Sequence, residues 1–232
     1  MKPWLRSLAL LAVCSFSLAG GANAQPPVTA LCIVPRCVPL VGKTAAGGVD
    51  PAGQFTITVN NGGGPIPGCN VVIDFSACVD ICIGNQASNN FVAPGGIPIV
   101  IGPGKTASAM TNAVGVATFR IVGGATNPMG CAAPASGAGC AAVYACGVPP
   151  VGVLIRNVTV NAYNEDGSLG ASGVAANDLS AWLGDFFCGI YGARSDFDCS
   201  GALGGNDLAA WLALYFAGGS VTGALGNVAP CP

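Results

Sequence analysis

The chain has 232 residues, of which 36 are Gly, 17 Pro and 12 Cys, and only 8% are charged; that length suits one or two domains. It contains no His, which excludes a His-based catalytic triad, a His general base and a His metal site. A formal net charge of −2 argues against a nucleic-acid partner.

Residues 1–24 read as a secretory signal. Lys2 and Arg6 form a basic n-region, Leu8 to Leu18 an apolar stretch too short to span a bilayer, and Ala22-Asn23-Ala24 a small-x-small cleavage site. The expectation is an exported chain starting at Gln25, secreted or held at the cell surface, with no membrane insertion after cleavage. Its six remaining cations against ten acids give a formal charge near −4. Export changes how the eleven remaining cysteines read. In an oxidising compartment they imply several disulfides, with one thiol left over and the connectivity open. Cys78 and Cys82 are the tightest pair, but no matching pair or His completes a zinc site.

Residues 25–52 are a Cys/Pro/Gly-rich lead-in. Strand signals begin at Gln54-Phe55-Thr56-Ile57-Thr58-Val59-Asn60, which alternates apolar and polar. The Asn61–Pro65 turn cluster follows, then a strand from Cys69 to Phe75. Further strands are expected at Pro98–Ile101, Lys105–Met110, Val116–Val122 and Val151–Val160. The Ala/Gly/Cys-rich stretch 125–147 reads as a long loop pinned by cystines. Short alternating runs separated by turns predict a small all-β sandwich over 53–160. Before residue 160 the mature chain offers only Asp50, Asp74 and Asp80. They form no evident acid–base pair, and no base stands ready to activate Ser or Cys, so the chain is expected not to be an enzyme.

Seven of the ten acids lie between Glu165 and Asp207. Here one helix occurs twice: Asn177–Phe187 returns 29 residues later as Asn206–Phe216, with seven of eleven positions identical. Leu179, Trp182, Leu183 and Phe186 fall on one helical stripe, as do Leu208, Trp211, Leu212 and Tyr215. The two stripes are expected to pack on each other. Each copy follows a Gly-rich acidic loop. A hard cation takes six to eight oxygens, and a 12-residue loop supplies them at positions 1, 3, 5, 7, 9 and 12, with Gly at 6. From Asp196 the second loop offers Asp198 at 3, Ser200 at 5, Gly201 at 6, the Ala202 carbonyl at 7 and Asp207 at 12. Gly204 at 9 leaves room for water. The bland alternative is a polar turn with Asp207 capping the helix. The first loop is a poorer copy: Asn164 and Asp166 stand at 3 and 5, and Asp178 closes it five residues late. Ala162 at position 1 carries no ligand, and the backbone of Asn161 or Tyr163 could substitute. Cys188 and Cys199 could be bridged to each other, or either to Cys231 in the Gly-rich tail 218–232.

The duplicated loop-plus-helix, with Asp at position 12 where an ordinary EF-hand has Glu, resembles the dockerin type I repeat over about residues 160–216, within a module expected at 161–217. The resemblance implies Ca²⁺ held by Asp196, Asp198, Ser200, Ala202 and Asp207, and more weakly by Asn164, Asp166 and Asp178. It also implies a small all-α helix pair and a cohesin-like protein partner in extracellular assembly. Gly64-Pro65-Ile66-Pro67-Gly68-Cys69-Asn70-Val71 and Thr111–Phe119 resemble bacterial Ig-like modules of invasin type. That suggests an all-β Ig-like sandwich, and with it an alternative: a surface adhesin or structural unit in which the calcium module is a stabilising cap.

Overall fold

Burial alternates along Phe55–Thr58, Thr106–Met110, Val116–Phe119 and Ala141–Ala145, while Ile81–Ile83 and Ile121–Ala125 are buried throughout. The computed structural model describes residues 25–125, 136–149, 151–165, 174–189 and 191–217. The expected signal segment 1–24, Asp166, Cys131 and the tail with Cys231 lie outside the described residues.

The strands are β1 (Cys37–Val41), β2 (Phe55–Thr58), β3 (Asn60–Asn61), β4 (Gly64–Pro65), β5 (Asn70–Asp74), β6 (Ile81–Ile83) and β7 (Val92–Ala93). They continue as β8 (Ile97–Pro98), β9 (Val100–Gly102), β10 (Thr106–Met110), β11 (Val116–Phe119), β12 (Ile121–Ala125), β13 (Ala141–Ala145) and β14 (Val153–Ala162). Two α-helices, α1 (Ala176–Phe187) and α2 (Gly205–Phe216), follow among the described residues. Eight strands form one curled sheet in the order β6-β12-β1-β14-β13-β5-β10-β9. The pair β2–β11 lies apart from that ladder, yet its inward side chains Phe55, Ile57, Ala117 and Phe119 share one core with Val71, Ile73, Val143 and Val160. Phe55 and Phe119 stack with ring centroids 5.3 Å apart.

Three expectations need correction. The Pro/Cys-bearing lead-in supplies β1, which pairs in parallel with both β12 and β14 in the interior of the sheet. The single strand expected over Val116–Val122 breaks at Arg120 into β11 and β12, which join different ladders. The stretch 125–147, expected to be a loop, contains β13, paired on both sides. Ala141, Val143 and Ala145 are buried and Ala142 and Tyr144 half-buried. That is a clear alternation in space, but one that Ala hides in sequence because it serves on either face.

Disulfides brace this region. Cys69–Cys146 and Cys78–Cys140 flank the antiparallel neighbours β5 and β13, one bridge at each end of the pair. Cys82 and Cys188 are disulfide-bonded as well. Among the described residues the free cysteine is Cys32, whose thiol is 3.4 Å from the Val28 carbonyl.

Candidate metal centre

The helices pack as their stripes predict. Trp182 and Trp211 are buried in one cluster with Val174, Phe197 and Leu214, flanked by Leu179, Leu183, Leu208 and Leu212. The ends of both stripes emerge in matching form. Phe186 stacks on Trp182 at 5.2 Å and Tyr215 on Trp211 at 5.1 Å, and each meets the following Phe edge-on.

The second loop sits between this pair and the sheet. Carboxylate oxygens of Asp196, Asp198 and Asp207 all lie within 4.8 Å of one another. Asp196 and Asp207 are 1% exposed, while Asp198 faces solvent. Gly201, at the sixth position, has φ +88°, a left-handed conformation that a Cβ would strain. The turn it makes lets Asp196 accept from the Ser200 amide at 3.0 Å and the Gly201 amide at 2.9 Å. Asp207 accepts from the Asp198 amide at 3.0 Å and the Gly204 amide at 2.8 Å. It therefore closes the loop and caps α2 from the third helical position, while Gly204 is the N-cap residue. The two readings of Asp207, ligand and cap, are compatible. The Ser200 hydroxyl donates to the Ala202 carbonyl at 3.0 Å, so these two further oxygens are neighbours in the same turn.

The electrostatics record crowding. Burial pushes the Asp207 carboxyl above its ordinary range; amide hydrogen bonds oppose this, and the charges of Asp198 and Asp196 add to it. Exposed Asp198 is held below its ordinary range, first by hydrogen bonding with Ser200. The Tyr191 hydroxyl donates to Asp196 at 2.7 Å. Its pKa is raised by burial first, then by that bond and by the charges of Asp196 and Asp207.

The first loop repeats the closure. Asp178, 0% exposed, accepts from the Glu165 amide at 2.6 Å and from the Ala175 amide at 2.7 Å. By this bond Glu165 takes the place that Asp198 holds in the second loop, one residue beyond the sequence register, and Tyr163 falls where Asp196 stands. Asn164 is buried, and Asp166 is outside the described residues. Among the described residues the one cluster of potential metal ligands is Asp196, Asp198 and Asp207.

Sequence reasoning missed what ties this loop down. Cys199 is bonded to Cys37 of β1, not to Cys188. Asn161 of β14 donates to the Asp196 carbonyl at 3.0 Å, and Tyr163 stacks on Phe197 at 4.5 Å. Behind them Arg194, 1% exposed, makes a bidentate pair with Asp185, 5% exposed, at 2.7 and 2.9 Å. The Ser195 hydroxyl lies 2.7 Å from both Asp185 and Glu165. One signal for this network was available: Asp185 stands where the second helix has Leu214. A charge at a core position requires a partner.

Comparison with the known protein families, with curated proteins and with solved structures finds no match. Three carboxylates, a hydroxyl and a carbonyl make an all-oxygen donor set, suited to hard divalent cations rather than to soft ones. Among the described residues no helix is long and apolar enough to cross a membrane.

Proposed function

We propose that the chain is an exported, non-catalytic calcium-binding protein whose C-terminal dockerin-like module serves extracellular protein–protein assembly. One observation carries the metal reading: two buried aspartates and an exposed one converge within 4.8 Å in a loop that turns on a left-handed glycine. Like charges so placed repel strongly in a partly buried site, and a divalent cation reverses the sign of that interaction. A flexible oxygen-only loop of twelve residues favours Ca²⁺ over Mg²⁺, which demands tighter octahedral geometry. The duplicated helices then present matching aromatic ends, Phe186–Phe187 and Tyr215–Phe216, toward a cohesin-like partner.

A second reading has its own support. The loop is tied to the sheet through Cys37–Cys199, Asn161 and Tyr163. That favours a stabilising cap on an Ig-like adhesin or structural unit.

Calorimetric calcium titration of the mature chain, residues 25–232, tests the metal reading, beside Asp196→Ala and Asp166→Ala. The whole mature chain is required because Cys199 needs Cys37. A binding event lost with Asp196→Ala supports the second site, and one lost with Asp166→Ala supports the first. No calcium heat at all would end the metal reading. Calcium-dependent capture of a partner then separates assembly module from cap.

A further inference from the structure

Most cations of the described chain are engaged. Lys105 donates to the carbonyls of Cys78 and Ile81, Arg120 grips Gln54 and covers the Phe91 ring, and Arg194 holds Asp185. Lys43 also has a partner. Two arginines differ. Arg36 makes no side-chain hydrogen bond or ion pair among the described residues. Arg156 has one long contact, 3.4 Å to the Val34 carbonyl, which leaves the rest of its fork open. Both are exposed, and both line the same cleft of about 360 Å³. Asn157 and Tyr191 line it too, and the cation loop itself contributes Asp196 and Ser200.

We infer that this cleft is a carboxylate-binding site switched on by the cation in the adjoining loop. The inference rests on the metal reading for its switch. Guanidinium forks recognise planar oxyanions in bidentate fashion, and a cleft of this size falls within the usual range for small ligands. Charge decides the rest. Two arginines beside three aspartates leave the surroundings at minus one, which opposes an anion. A divalent cation in the loop turns that balance to plus one, which a single carboxylate neutralises and a doubly charged phosphate would overshoot. Asp196 lines the same cleft as the two arginines, and its carboxylate lies within 4.8 Å of those of Asp198 and Asp207, so the sign change is felt in the cleft. Binding is then reciprocal: whatever factor calcium contributes to carboxylate affinity, the carboxylate contributes to calcium affinity.

The test uses the disulfide-bonded mature chain and two carboxylate sources: N-acetylglutamate amide as an acidic side chain and methyl galacturonide as an acidic sugar. N-acetylglutamine amide is the neutral control. Calorimetry is run in saturating calcium and after chelation. The expected result is saturable carboxylate binding with calcium, at least tenfold weaker without it, and none by the neutral amide. Arg36→Gln and Arg156→Gln should each weaken it about tenfold while leaving calcium binding in the absence of carboxylate unchanged or slightly tighter. Preference between the two sources identifies the ligand's class. Normal calcium heat with no carboxylate binding, or binding indifferent to both arginine variants, overturns the inference and leaves the metal reading standing. Absence of calcium heat sinks the metal reading and the switch together.

Discussion

Cys37, in a strand flanked on both sides by parallel neighbours, is bonded to Cys199, the fourth residue of the loop that carries Asp196 and Asp198. The bridge spans 162 residues of sequence and joins the acidic cluster to the interior of the sheet. Cys199 also holds φ +59°, which few residues other than Gly adopt without cost. The β-sheet and the helix pair are thus one covalently linked object at the candidate site.

Replacing both partners, Cys37→Ser with Cys199→Ser, should cost about 2–5 kcal/mol, the usual range for a native bridge closing a long loop. For a chain of this length that is a fall in melting temperature of roughly 5–15 °C. Calcium should also bind more weakly, because the loop must then be ordered at the moment of binding. Pairing Cys37→Ser with Cys199→Gly should recover up to about 1 kcal/mol by relieving the left-handed position. Calorimetry on the three proteins decides this; unchanged calcium affinity in the double Ser variant would show that the loop is independent of the sheet.

Asp207 separates closure from charge. Asp207→Asn keeps the side-chain shape, loses one of two amide hydrogen bonds and removes a buried charge. Loss of the bond costs about 1 kcal/mol, partly offset by relief of repulsion from Asp196 and Asp198. The calcium-free variant should therefore melt close to the parent protein. What should vanish is the stabilisation by calcium, about 2.7 kcal/mol when the free ion stands at a hundred times its dissociation constant. Thermal melts with and without calcium read both effects. A calcium shift that survives in Asp207→Asn would make Asp207 a cap and not a ligand.

The helix pair was legible because its period is long and its key residues are rare: two Trp 29 residues apart announce a repeat, and both are buried as its stripes require. Asp196, Asp198 and Asp207 were legible because cation loops fix spacing. The sheet was read less well where side chains carry no contrast. Ala141–Ala145 alternates only in burial, and β1 lies in a segment whose Pro35, Pro39 and Cys37 read as turn or lead-in. Parallel pairing of β1 with β12 and β14 depends on partners more than 80 residues away, and no local pattern encodes it. The Arg194–Asp185 pair, only nine residues apart, left a single trace in the sequence, the acid at the stripe position where the second helix has Leu214.

Gly192 is the residue that lets that pair form. A Cβ there would stand 2.5 Å from the Asp185 Oδ2 atom, the oxygen that takes the Arg194 Nε and approaches Ser195. Gly192→Ala should push Asp185 out of register and break its bidentate pair with the buried Arg194 guanidinium. Breaking one side of a buried pair typically costs about 3–5 kcal/mol. Urea unfolding should show that loss. Asp185→Leu, which copies Leu214 of the second helix, should be no milder while Arg194 remains. If Gly192→Ala unfolds at the parent midpoint, Asp185 has room to move and the pair is not a constraint on the fold.

Glu165 sets the pH dependence. It is 0% exposed, and burial raises its pKa well above the ordinary carboxylate range; the Ser195 bond and Arg194 oppose this, while Asp185 and Asp178 add to it. Ser195 has one hydroxyl proton for two carboxyl groups at 2.7 Å. A neutral Glu165 resolves this: it donates to Ser195, and Ser195 donates to Asp185, which holds Arg194. The folded chain then keeps a proton that the unfolded chain has released. By linkage the contribution is fully present below the unfolded glutamate pKa of about 4.3 and is lost as pH rises through the raised folded value. Within that window the slope approaches about 1.4 kcal/mol per pH unit for this one group. Asp207, also raised by burial, adds the same sign, so the comparison must be with Glu165→Gln, which keeps shape and donor. Urea unfolding in metal-depleted buffers from pH 5 to 8 should show the parent losing stability with pH relative to the Gln variant. Parallel pH profiles would mean that Glu165 is ionised in the folded protein and that Ser195 donates to it instead.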